Sequence, residues 1–133
     1  MTTELSPIKW VRVVLTALAV YIAGFLTIFL IVTGYASYLG FQARGAPDPA
    51  MIEEFANRYA PWIGPISLIL FTILGAMWLA RRVGNAIELH GIVLGVLVSL
   101  VSIIFDGLSV STLVSIVLTI GAGWLGSRMS ARQ

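Results

Sequence analysis

The chain has 133 residues, 59% hydrophobic and 11% charged, with a formal net charge of +2 and a mean hydropathy of +0.98. That is about the material of four bilayer crossings and their connections, and the basic residues flank apolar runs as orientation signals, which excludes a nucleic-acid surface. The absence of cysteine excludes disulfides, thiolate catalysis, iron–sulfur ligation and thiolate zinc sites, and a single histidine leaves little for metal chemistry.

Charges fall at the ends and in three short breaks, leaving the uncharged stretches Val13–Ala43, Tyr59–Ala80, Leu89–Phe105 and Gly107–Ser127. Lipid offers a bare backbone no hydrogen-bond partner, so only helices or a closed barrel can cross it, and these runs are too long and too continuously apolar for barrel strands. The expected fold is an all-α, polytopic membrane protein, one four-helix transmembrane domain over residues 1–133 with spans near 13–40, 63–81, 87–105 and 109–127.

The first span follows Lys9 and Arg12, and its apolar run is too long for the core of a signal peptide, so it is expected to be a retained anchor. If wholly helical, Val13–Ala43 reaches roughly 46 Å against a hydrocarbon core of about 30 Å, so it must tilt, bend or protrude. Gly24 and Gly34 are candidate bend points, and Tyr35, Tyr38 and Phe41 suit the outer interface.

The connection at 42–60 opens with the turn-forming Gly45-Ala46-Pro47-Asp48-Pro49 and then turns helical, with Asp48 as N-cap and Pro49 in the first turn. Met51, Ile52, Phe55 and Tyr59 recur on one stripe, while Glu53, Glu54, Asn57 and Arg58 lie mostly elsewhere. This reads as a short amphipathic helix in the first outer loop, its stripe toward lipid or toward the bundle, or equally as a solvated loop helix packed on its own protein. Pro61 and Pro65 bracket Trp62, so the second span is expected to begin near Pro65.

Arg81-Arg82-Val83-Gly84-Asn85 closes that span with cations at a helix C-terminus and residues suited to a left-handed cap. Asp106-Gly107, with Ser109 and Ser111 as candidate caps, joins spans three and four so tightly that they must form an antiparallel hairpin. A cytoplasmic N-terminus puts Lys9, Arg12, Arg81, Arg82, Arg128 and Arg132 on the inner side against Arg44 and Arg58 outside. Both termini are therefore expected in the cytoplasm, the protein being multi-pass in a bacterial-type inner (plasma) membrane.

Helices in lipid associate through close backbone approach, so small residues four apart mark contact faces. Such faces carry Gly91, Gly95 and Ser99 on span three, Ser111, Ser115, Thr119 and Gly123 on span four, and Thr72, Ala76 and Ala80 on span two. They either pack the monomer or serve self-association or a partner subunit.

No ionisable residue lies mid-span, which argues against a secondary transporter or proton pump. Intramembrane proteases need paired groups or several ligands that the spans lack, so no enzymatic activity is expected. One polar cluster remains: Glu88 and His90, with Arg81 and Arg82 across the loop. Glu88 can pair with an arginine and His90 can ligate a cofactor, or both simply sit wet at the membrane boundary. Ala86 stands four residues before His90, and this Ala-x-x-x-His spacing resembles the bacteriochlorophyll-ligating pattern of bacterial antenna helices, which implies a pigment on His90. Outside that reading no cofactor is expected.

From Arg81 onward, a basic turn, the span with Gly91-Ile92-Val93-Leu94-Gly95, a short outer turn and a last span with Gly121-Ala122-Gly123-Trp124-Leu125-Gly126 resemble small four-span bacterial membrane proteins of uncharacterised function. The resemblance implies the architecture and transfers no site. Small multidrug transporters resemble the chain in span number but depend on a glutamate within the first span, where this chain has Thr16, Tyr21 and Thr27. The small fluoride channels share the span number without a matching Asn and Arg signature. The leading expectation is a non-catalytic accessory or scaffold subunit packed against another membrane protein, or a small homo-oligomer. The alternative is a small oligomeric channel or transporter with a path built from Ser99, Ser102, Ser115, Thr119 and Tyr21. A remoter one is an antenna-associated subunit using His90.

Overall fold

A computed structural model describes residues 8–84 and 86–131, without the side chains of Asp106 and Ala131, so the expected Asn85 cap and inner-side Arg132 lie outside the described residues. The chain forms α1 (Trp10–Ala43), α2 (Pro49–Val83), α3 (Ile87–Asp106) and α4 (Val110–Ala131). All four are long and apolar enough to cross a membrane. At 1.5 Å per residue, the 34 residues of α1 and 35 of α2 reach about 50 Å, whereas the 20 of α3 and 22 of α4 reach roughly 30 Å. The first two helices therefore overhang the α3–α4 hairpin.

The overhang corrects the expected short loop helix. That segment and the second span are a single helix, unbroken from Pro49 through Pro61 and Pro65 to Val83. Each proline deletes one N–H that would bond the carbonyl four residues back, and their spacing of four puts both losses on one face, leaving the rest of the ladder intact. The amphipathic stripe also finds a partner in α1. Phe55 stacks on Tyr35 with ring centroids 4.0 Å apart, Tyr59 follows at 4.8 Å from Phe55, and Leu39 is buried. The start is as the sequence indicates: Asp48 Oδ1 accepts the Ala50 N–H at 2.9 Å, with Pro49 in the first turn. α1 likewise runs unbroken through Gly24 and Gly34.

Around the bundle, α1 packs on α2, α2 on α4, α4 on α3 and α3 on α1, and α2 meets α3 across the middle. Among the described residues α1 and α4 make no close backbone approach. The basic end, where Lys9, Arg12, Arg81, Arg82 and Arg128 gather, is filled by Val13, Val20, Ala76, Leu79, Val83, Leu94 and Val98. There α3 and α4 touch backbone to backbone. A Cβ on Gly91 would run into the Gly123 carbonyl and the Ser127 side chain, and one on Gly95 would lie 2.8 Å from the Thr119 carbonyl. Outward-facing residues such as Leu18, Phe25, Phe29, Leu74, Val114 and Val117 are exposed and apolar, an exterior compatible with lipid.

Candidate functional site

Toward the α3–α4 turn the bundle is open. A cavity of about 540 Å³ lies in the gap that α1 and α4 leave between them, backed by α2 and α3. From α4 it receives Ser111, Thr112, Ser115 and Thr119, one helical stripe at spacings of three and four; Ser109 adds a hydroxyl at its mouth and α3 contributes Ser99 and Ser102. Tyr21, Gly24 and Ile28 come from α1, and Asn57, Pro61, Gly64 and Pro65 from α2. Among the described residues no charged side chain lines it.

Local hydrogen bonding decides what these groups offer. Ser99 donates to the Gly95 carbonyl at 2.8 Å and Ser102 to the Val98 carbonyl at 3.2 Å, so each hydroxyl is tied to its own helix and keeps its oxygen as an acceptor. At the mouth, Ser109 accepts the Thr112 N–H at 3.2 Å as the N-cap of α4 and pairs with the Ser111 and Thr112 hydroxyls at 2.8 Å. Ser115, Thr119 and the Asn57 amide make no hydrogen bond among the described residues. Pro61 and Pro65, which lie inside α2 and lack an N–H, also line the cavity. The result is a set of neutral donors and acceptors reaching Ser99 and Thr119, beyond which the apolar core closes the bundle.

The basic end holds the helices together through contacts between them. His90 is fully buried. Its Nε2 accepts the backbone N–H of Lys9 at 3.1 Å, which places the ring proton on Nδ1, where it is donated to the Ala86 carbonyl at 2.8 Å. Both ring nitrogens are thus occupied within the chain, leaving no lone pair for a pigment or metal in this arrangement. Arg12 extends the clasp by donating from Nη1 to the Arg82 carbonyl at 2.7 Å, which ties the start of α1 to the end of α2.

Three of the four residues of the expected polar cluster, Arg82, Glu88 and His90, have different neighbours. Positions 88 and 90 point to different sides of α3, as residues two apart on a helix must. Glu88 accepts from the Trp124 indole at 3.4 Å, where the sequence suggested an arginine partner. The Arg82 guanidinium lies 5.1 Å from the Trp78 ring centre, and Arg81, the residue before it on α2, is exposed. Of the expected packing residues, Gly91, Gly95 and Gly123 form the α3–α4 contact, while Ser99, Ser115 and Thr119 line the cavity.

Tyr21, Ser99, Ser102, Ser115 and Thr119, the sequence-derived polar path, all lie in this one cavity within a single chain. Oligomerisation is not needed to assemble them. Sequence reasoning missed Asn57, Pro61, Pro65 and Thr112 as lining. Ser111, Thr112, Ser115 and Thr119 carried a readable signal, a hydroxyl stripe at helical spacing, whereas the α2 residues became visible only once the loop segment and the span proved continuous. No protein family, curated protein or solved structure gives a significant match to this chain.

Proposed function

We propose that the protein is a non-catalytic four-span inner-membrane protein, both termini in the cytoplasm, that takes a small uncharged hydrogen-bonding solute from the outer side into the hydroxyl-lined cavity. The observation that carries this reading is the cavity, rich in neutral donors and acceptors in a bundle that is otherwise apolar. A polar surface inside a membrane is costly unless something satisfies it, so water or a solute belongs there. The basic residues gathered at the opposite end support the orientation, because cytoplasmic ends carry the excess of lysine and arginine. With the apolar core sealing the far side, the arrangement suits a solute site open at one end, and a continuous pore is disfavoured.

The test is a thermal-unfolding screen of the purified protein against neutral amides and polyols, beside Ser115→Phe, which fills the cavity from α4. At least one neutral solute should stabilise the native protein and not the variant, since only a ligand of the folded state raises its melting temperature. If no neutral solute distinguishes the two proteins, the reading fails.

Association as an accessory subunit or homo-oligomer is the second reading, favoured by one observation. α1 overhangs the hairpin with Ile31, Tyr38 and Phe41 exposed, the last at 86%. Gentle-detergent purification that recovered only monomer would count against it.

A further inference from the structure

A second, separate hollow lies at the basic end, on the lipid-facing seam between α1 and α2. It has a volume of about 330 Å³ and is walled by Leu15, Phe71, Leu74 and Trp78. Ala19, Ala23 and Gly75 leave space among them. A Cβ on Gly75 would stand 2.8 Å from Val20 Cγ2, so the glycine lets α1 and α2 approach closely beside the hollow. We infer that this groove is a binding site for one acyl chain of an anionic phospholipid of the inner leaflet, with its headgroup held by Arg12, Arg82 and Trp78.

Two independent features favour that occupant. From Arg12 to Ala23 the groove follows α1 for about 16 Å, close to the roughly 15 Å depth of one leaflet's hydrocarbon. It also begins where the charge is. Arg12 is fixed at its mouth by the bond from Nη1 to the Arg82 carbonyl, which leaves the remaining guanidinium donors for a phosphate. The Arg82 guanidinium lies 5.1 Å from the ring centre of Trp78, itself a wall of the groove, and the Trp78 indole N–H makes no hydrogen bond among the described residues. Among the described residues Glu88 is the acid at this end, and its carboxylate is turned to Trp124 on α4. An apolar slot one leaflet deep that ends in two arginines and an indole is complementary to an anionic lipid, and basic pockets between membrane helices on the cytoplasmic side recognise such headgroups. A zwitterionic lipid would bring a second cation to the arginines.

This inference rests on membrane insertion and not on the solute cavity, so either site can fail while the other stands. The full-length protein, stripped of lipid in mild detergent, is titrated with phosphatidylglycerol or phosphatidylcholine of identical chains, and bound lipid is counted by native mass spectrometry. Native protein should bind one phosphatidylglycerol about 10-fold more tightly than phosphatidylcholine. Arg82→Gln should lose that preference while still binding both, and Ala19→Phe, which plugs the groove from its lipid-facing side, should weaken both lipids by about 10-fold. Equal affinity for the two lipids in the native protein, an undiminished preference in Arg82→Gln, or native binding by Ala19→Phe would each overturn the proposal. Arg82 is exposed and outside the core, so its result holds even if Ala19→Phe lowers stability.

Discussion

The two ends of the α3–α4 hairpin use small residues in opposite ways. At the basic end Gly91, Gly95 and Gly123 bring the backbones into contact and leave no room between them. Nearer the turn, Ser102 and Ser115 occupy equivalent positions on the same two helices, and a cavity stands there instead. Glycine allows approach because it has nothing to keep apart. Serine and threonine, small enough to pass as packing residues, bring an oxygen that prefers a polar neighbour, and where each donates to its own helix the acceptor side is left for something else. A stripe of small residues therefore has to be divided by chemistry before it says where helices touch.

Breaking the closed end should have the largest effect. Gly91→Leu drives a side chain into the Gly123 carbonyl and Ser127, atoms that cannot move without separating the helices. A loss of about 3 kcal/mol or more is expected, read as a collapse of the melting temperature in detergent. A smaller disturbance of the same end is His90→Phe, which keeps a ring in the buried site but removes the acceptor for the Lys9 N–H. It should cost about 2 kcal/mol and speed hydrogen exchange at the start of α1, where His90 ties α1 to α3. Unchanged exchange there would show that the clasp does not hold the end together. At the open end the expected effect on stability is smallest. Thr119→Val replaces a hydroxyl that makes no hydrogen bond among the described residues with a methyl of similar size. Stability should shift by less than about 1 kcal/mol, while solute affinity falls by roughly 3- to 10-fold, the equivalent of one hydrogen bond. A large stability change from Thr119→Val would assign that residue to packing, together with the glycines.

Much of the architecture was legible because lipid imposes few solutions: long uncharged runs, a tight Asp106-Gly107 turn and an excess of cations on one side leave little besides a four-helix bundle. The Asp48 cap and the Ser109 cap were readable as well, since each depends on a side chain within a few residues of its partner. Pro61 and Pro65 misled, because a proline pair normally marks a helix start, and the stacking of Phe55 on Tyr35 that carries α2 through them is a contact between distant parts of the chain. The neighbours of His90 were hidden for a similar reason. Nothing local reveals that its Nε2 meets the Lys9 backbone, 81 residues away. The polar path through Tyr21, Ser99, Ser102, Ser115 and Thr119 was visible as residue types, but its enclosure within one chain depends on α1 and α4 standing apart, which no spacing encodes.

The most direct test uses the lack of cysteine in the chain. Single cysteines are introduced at Ser115 in the cavity, at Leu94 in the core and at Val117 on the lipid-facing surface, and intact cells are treated with a membrane-impermeant maleimide. Ser115→Cys should label from outside while Leu94→Cys and Val117→Cys stay unmodified, because the cavity carries water to position 115 from that side, whereas Leu94 is buried in the apolar core and Val117 faces lipid. Labelling of Ser115→Cys only from the cytoplasmic face, or not at all, would contradict both the orientation and the open hydroxyl-lined site.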